Sequence, residues 1–100
     1  MNPINNMRPI HPGEILREEF LAPLNMSPHA LALELKVPAP RINDIVRERR
    51  AITPDTALRL ARYFGSTPQF WMNLQVAYDL KRAEMELGPK ITRDVHCRAA

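Results

Sequence analysis

The chain has 100 residues, 45% of them apolar and 25% charged, a size and balance that describe one globular domain and exclude an intrinsically disordered segment. A single cysteine, Cys97, excludes an intrachain disulfide, and there is neither a signal-peptide pattern nor an apolar run of membrane-spanning length, so the expected location is the cytoplasm and no membrane partner is expected. The net charge of +3 is concentrated: residues 1–35 carry −2 and residues 63–100 carry +1. Between them Lys36, Arg41, Arg47, Arg49, Arg50, Arg59 and Arg62 stand against Asp44, Glu48 and Asp55 for +4, a local patch of the kind that attracts a polyanion or remains simply solvated.

Ten prolines against three glycines is an unusual ratio, and the prolines stand mostly where helices would begin. Residues 1–10 have no periodicity and two prolines, which predicts a loosely ordered arm. His11-Pro12-Gly13-Glu14 opens a first helix running to about Ala22, with Ile15, Leu16, Phe20 and Leu24 on its inner face, Arg17, Glu18 and Glu19 toward solvent, and Pro23 as its stop. Ser27-Pro28 is a cap followed by proline, and it opens a two-turn helix that contributes Ala30, Leu31 and Leu35 to a core. A third helix begins near Pro38, with Pro38 and Pro40 in its first turn, and ends near Arg47. Thr53-Pro54 opens a fourth, whose stripe of Ala57, Leu60, Ala61 and Phe64 is closed by Gly65. Thr67-Pro68 opens the fifth and longest, which extends to about Glu86 before Gly88-Pro89 stops it. The expected organisation is therefore all-α: an arm over 1–10, one domain over 11–87 and a frayed tail over 88–100.

The third helix is the informative one. At 100° per residue Ile42, Ile45 and Val46 share a buried side, while Pro40, Asn43, Asp44 and Arg47 cluster opposite, flanked by Arg41 and Glu48. Asn pairs bidentately with adenine and Arg with guanine in the major groove. Residue types alone leave open an ordinary solvated face, but the order of a two-turn helix, a tight turn and an exposed polar helix is the helix-turn-helix layout, which favours a base-reading face of Pro40, Asn43, Asp44 and Arg47. Ser27 and His29, at the amino end of the second helix, together with Arg41, Arg49, Arg50 and Thr53, are the candidate phosphate contacts. The fifth helix is apolar on more than one side: Phe70, Trp71, Leu74, Ala77 and Tyr78 form one stripe, and Met72, Val76 and Leu80 face elsewhere. A second buried surface is thus expected, a homodimer interface of Trp71, Met72, Val76 and Leu80, unless the chain's own tail covers it.

Three runs make a more specific comparison: His11-Pro12-Gly13-Glu14-Ile15-Leu16, then Pro40-Arg41-Ile42-Asn43-Asp44-Ile45-Val46-Arg47, then Ala57-Leu58-Arg59-Leu60-Ala61-Arg62-Tyr63-Phe64-Gly65 with Phe70-Trp71-Met72-Asn73-Leu74-Gln75. Over roughly residues 8–80 the chain resembles the HigA-type antitoxins of the Xre/Cro-like helix-turn-helix group, some of them called virulence-associated protein I. The resemblance implies a five-helix, lambda-repressor-like domain, a homodimer on a palindromic operator in double-stranded DNA, autorepression of the operon, and a partner toxin that is a RelE-like mRNA endonuclease. One departure concerns the turn before the third helix, where many relatives have glycine and this chain has Lys36. That position is expected to need a left-handed backbone, which a lysine occupies at about 1–2 kcal/mol of strain.

Neither His11 with Glu14, Glu18 and Glu19 nor the adjacent His96-Cys97 has the spacing of a zinc site or of a nucleophile with its base, and there is no glycine-rich phosphate loop. The chain is accordingly not expected to be an enzyme or to hold a cofactor, metal or small-molecule substrate. An RNA reader is disfavoured because the aromatics sit at core spacing. A stand-alone helix-turn-helix regulator without a toxin, and a protein-interaction module that has lost DNA binding, are the alternatives to an antitoxin.

Overall fold

Each helix opens on a proline in one of its first two positions. In the computed structural model, which describes residues 8–99, Pro12 begins α1 (residues 12–24), Pro28 begins α2 (Pro28–Leu35), Pro40 is the second residue of α3 (Ala39–Val46), Pro54 begins α4 (Pro54–Phe64) and Pro68 begins α5 (Pro68–Asp94). The missing N–H of each proline falls where a helix has no internal acceptor to offer, so these prolines cost nothing in hydrogen bonds and pre-set φ. Side chains cap three of the starts: His11 Nδ1 accepts from the Gly13 amide at 2.8 Å, Ser27 Oγ from Ala30 at 3.0 Å and Thr67 Oγ1 from Phe70 at 3.1 Å. Asn25, Lys36 and Gly65 end α1, α2 and α4 in the left-handed region, at φ 51°, 60° and 72°, so Lys36 does take up the conformation that glycine would supply more cheaply.

Within α1, Pro12–Ile15 and Ala22–Leu24 wind as α-helix, but Leu16–Leu21 is π-helical, with the Ala22 amide donating to the Arg17 carbonyl five residues back. This wider winding meets Pro23 where its absent N–H would break an α ladder, so the helix passes Pro23 and ends at Leu24. Leu24 is consequently not a core residue; it lies in that last turn, 59% exposed.

The core is built from Leu16 and Leu21 of α1, Leu31, Ala32 and Leu35 of α2, Ile42, Ile45 and Val46 of α3, Ile52 of the following loop, Ala57, Leu60 and Ala61 of α4, and Trp71 of α5. α1 packs on α3 and α5, α2 on α3 and α4, and α4 on α5. Phe20 joins α1 to the other elements through tilted rings, 4.9 Å from both Phe64 and Trp71.

Two expectations are overturned by α5. Trp71 belongs to the interior of the subunit: it is fully buried, and its indole N–H donates to Ser66 Oγ at 3.0 Å. It therefore presents no surface to a second chain, and the candidate dimer face narrows to half-buried Met72 with Val76 and Leu80, 50% and 57% exposed. Nor does Gly88-Pro89 stop the helix, which continues to Asp94 where a frayed tail was expected. The acceptor orphaned by Pro89 is the Met85 carbonyl, on an exposed stretch where water can serve it, and the pairs Arg82–Glu86 and Lys90–Asp94 brace the turns on either side. The extended helix gives the molecule its length, 53 × 25 × 23 Å. Of the arm, residues 1–7 lie outside the described residues; Arg8 pairs with Glu14 through two bonds of 2.8 and 2.9 Å.

Candidate nucleic-acid interface

Ile42, Ile45 and Val46 turn one side of α3 into the core, and this fixes what the other side displays. Pro40 and Arg47 are exposed, and Arg41, Asn43 and Asp44 are half-buried. Asn43 donates one amide hydrogen to the Ala39 carbonyl at 3.2 Å, one turn back, which holds the side chain along the helix and leaves its oxygen without a partner among the described residues. Arg47 ends the helix at φ −89° and ψ 6° and makes no ion pair among the described residues. Beyond it Glu48 turns the chain at φ 63°. Arg49, Arg50 and Thr53 follow on an exposed loop, with Arg50 Nη2 4.0 Å from Asp44 Oδ2. Ser27 and His29 are exposed at the start of α2, although the Ser27 oxygen is already engaged as a cap.

Contacts distant in sequence hold this face in place. Gly13 of α1 lies directly against α3: a Cβ built on it would stand 1.7 Å from the Ile45 carbonyl oxygen. Arg17, expected to face solvent, reaches from α1 to α3, donating to the Val46 carbonyl and lying 3.5 Å from Glu48. It thus supplies a cation and a donor at the negative end of the helix dipole. Arg59 of α4 does the same for α2, donating to the Leu35 carbonyl at 2.9 Å. Asp55, in the first turn of α4, accepts from Arg59 at 3.0 Å and from Arg41 of α3 at 2.5 Å, and the two guanidiniums hold its carboxyl below the usual carboxylate range. Arg41 is therefore engaged within the protein, unlike Arg47 and Arg49.

Residues 16–71 match the helix-turn-helix family. Virulence-associated protein I of Dichelobacter nodosus is 63% identical over 82 residues, covering 82% of this chain and 76% of that protein. Antitoxin HigA-1 of Vibrio cholerae is 37% identical over 73 residues, covering 73% of this chain and 69% of that one. The structure of Pseudomonas aeruginosa antitoxin HigA with the higBA promoter superposes with a TM-score of 0.90 at 54% identity, covering 92% of this chain and all of that one. The chain belongs to the HigA-type helix-turn-helix family. This is a family of DNA-binding antitoxins and regulators and not of enzymes. No helix among the described residues is long and apolar enough to cross a membrane.

Two buried polar residues of this HigA-type chain stand inside the family's motif runs, yet the motifs alone gave them no structural role. Gln75 of α5 accepts from the Ile52 amide at 2.7 Å and donates to Asp79 at 3.0 Å, which pins the loop carrying Arg49, Arg50 and Thr53 to the longest helix. A signal existed: Gln75 lies one turn beyond Trp71, within about 40° of it on the wheel. His11, taken as part of a helix opening, is 3% exposed and packs edge-on against Tyr78 at 4.8 Å. Burial pushes its pKa below the ordinary histidine value, against the smaller opposing pull of Glu48 and Asp79.

The folded state therefore binds fewer protons at His11 than the unfolded chain does, and stability should fall as pH drops through about 6.5, the unfolded value. Glu14 and Asp55, whose pKa values are lowered by Arg8 and by Arg59 with Arg41, lose their contributions only at more acidic pH. Thermal melts between about pH 7.5 and 5.5 should accordingly show a decline in the parent that is largely absent in His11→Asn, which keeps a capping oxygen but cannot titrate. Equal declines in the two proteins would refute this assignment.

Proposed function

We propose that the chain is the antitoxin of a toxin-antitoxin pair: a dimer that seats α3 of each subunit in successive major grooves of a palindromic operator and represses its own operon. The observation that carries this reading is the outward face of Pro40, Asn43, Asp44 and Arg47, continuous with the exposed guanidiniums of Arg49 and Arg50, on a chain closely similar to an antitoxin whose structure includes its promoter. Asn43 and Arg47 are the base readers. Ser27, His29, Arg49, Arg50 and Thr53 supply contacts to phosphate, which add affinity without sequence preference. The dimer forms through Met72, Val76 and Leu80, apolar side chains of α5 left partly or largely exposed within one subunit. Two recognition helices about 34 Å apart then meet one side of the duplex. The toxin it neutralises is a RelE-like mRNA endonuclease encoded beside it.

Fluorescence anisotropy with the duplex upstream of the gene tests the DNA-binding part. Asn43→Ala and Arg47→Ala should each weaken operator binding by about 1–3 kcal/mol and relax preference at one base pair per half-site. Arg49→Ala or Arg50→Ala should weaken binding to every sequence and flatten the salt dependence by about one unit each. Wild-type operator affinity in the first pair would remove α3 from the interface; an unaltered salt slope in the second would remove the loop. Co-expression with the neighbouring gene tests the antitoxin part, which fails if the two products do not purify together.

A further inference from the structure

Asp55 stands between arginines of two different helices. Its Oδ2 atom accepts from Arg41 of α3 at 2.5 Å and from Arg59 of α4 at 3.0 Å, and Arg59 also donates to the Leu35 carbonyl at the end of α2, 2.9 Å away. One carboxylate thereby ties the end of α2, the first turn of α3 and the first turn of α4. Those are the pieces whose relative tilt decides how α3 enters a groove. Arg41 stands on α3 between Pro40 and Ile42 with 30% of its side chain exposed, and its cation is engaged by the protein itself. Arg47 and Arg49 have no such carboxylate among the described residues, and Arg50 only the distant contact with Asp44.

An unengaged arginine beside the duplex adds affinity for every sequence alike, because phosphate carries no sequence information. An arginine already held by a carboxylate must break that pair before it can do so. We propose that Asp55 is a positioning residue for operator discrimination, withholding Arg41 from the phosphate backbone and tying the first turn of α3 to that of α4. The inference rests on the reading of α3 as the DNA-reading helix. It assigns Arg41 a role different from that of Arg49 and Arg50, although composition treats the three alike.

The test measures binding of the full chain to the operator duplex and to a random duplex of equal length, across about 50 to 200 mM salt. Asp55→Asn should steepen the salt dependence on random DNA by about one unit, raise affinity for it by about fivefold to tenfold, and lower the operator-to-random ratio by at least about fivefold. Arg41→Met should leave the salt slope of the parent unchanged, and the double variant should return to the parental slope. A purely structural Asp55 would instead weaken binding to both duplexes without steepening either. Arg41→Met removes only a half-exposed side chain, so it decides the matter even if Asp55→Asn does not fold. A slope flattened by about one unit in Arg41→Met means that Arg41 already touches phosphate, and it overturns the proposal, as does an Asp55→Asn variant with parental slope and ratio. A parent chain with no preference for the operator would overturn the reading of α3 as well, and that result is obtained before any variant is made.

Discussion

Replacing Gly13 with alanine is expected to destabilise the domain by more than about 3 kcal/mol, beyond the usual cost of an overpacked core. The new methyl would lie 1.7 Å from the Ile45 carbonyl oxygen and 2.7 Å from its carbon. These are backbone atoms, so no flexible side chain can swing aside; α1 and α3 must separate. Separation would expose Leu16 and Ile45, both fully buried, and would disturb the Arg17 contact with the Val46 carbonyl that steadies the end of α3. For a domain of this size each kcal/mol moves Tm by about 4–8 °C, so a fall of more than about 12 °C is expected in a thermal melt. Gly88→Ala is the matched control: nothing lies within 4 Å of a Cβ there, and in a helix interior alanine should gain up to about 1 kcal/mol. Gly13→Ala with the parental Tm would mean that the two helices do not approach this closely.

Trp71→Ala should cost about 3–5 kcal/mol. The indole is fully buried, its ring lies 4.9 Å from that of Phe20 and 5.0 Å from that of Phe70, and its N–H satisfies the Ser66 hydroxyl. Truncation leaves a cavity bounded by α1, α4 and α5 that these helices cannot close without moving one another. Because Trp71 is the chain's only tryptophan, its fluorescence is a clean second probe: emission should be blue-shifted in the folded chain and insensitive to dilution at constant folded fraction. Emission that shifts to the red on dilution at constant folded fraction would return Trp71 to the interface between subunits.

The division between the two kinds of information is visible along α3. Its buried residues Ile42, Ile45 and Val46 and its polar residues Asn43 and Arg47 were legible because helical periodicity is local, repeating within four residues. The helix starts were legible for the same reason: a proline and its cap act on the nearest amides, and Pro12, Pro28, Pro40, Pro54 and Pro68 all stand in a first turn. Lys36, at φ 60°, was legible as a left-handed position only through the family resemblance, since many relatives have glycine there. Leu24 and the run through Gly88-Pro89 were misjudged because a proline's local preference yields where winding changes or where water meets the orphaned carbonyl.

What tertiary structure alone decided is which distant backbone atom each polar group meets. Arg17 and the Val46 carbonyl are 29 residues apart, Arg59 and the Leu35 carbonyl 24, and Gln75 and the Ile52 amide 23. No periodic pattern encodes such pairings, because a carbonyl at the end of a helix looks the same from the sequence whichever side chain satisfies it. The same holds for Trp71, whose apolar surface suits a subunit's own core and a partner's equally well until Phe20 and Ser66 are seen to enclose it. Sequence determined the helices, their faces and the family; packing determined which arginines are engaged, which glycine is indispensable and which apolar surface remains for another chain, since those depend on where the helices come to rest against one another.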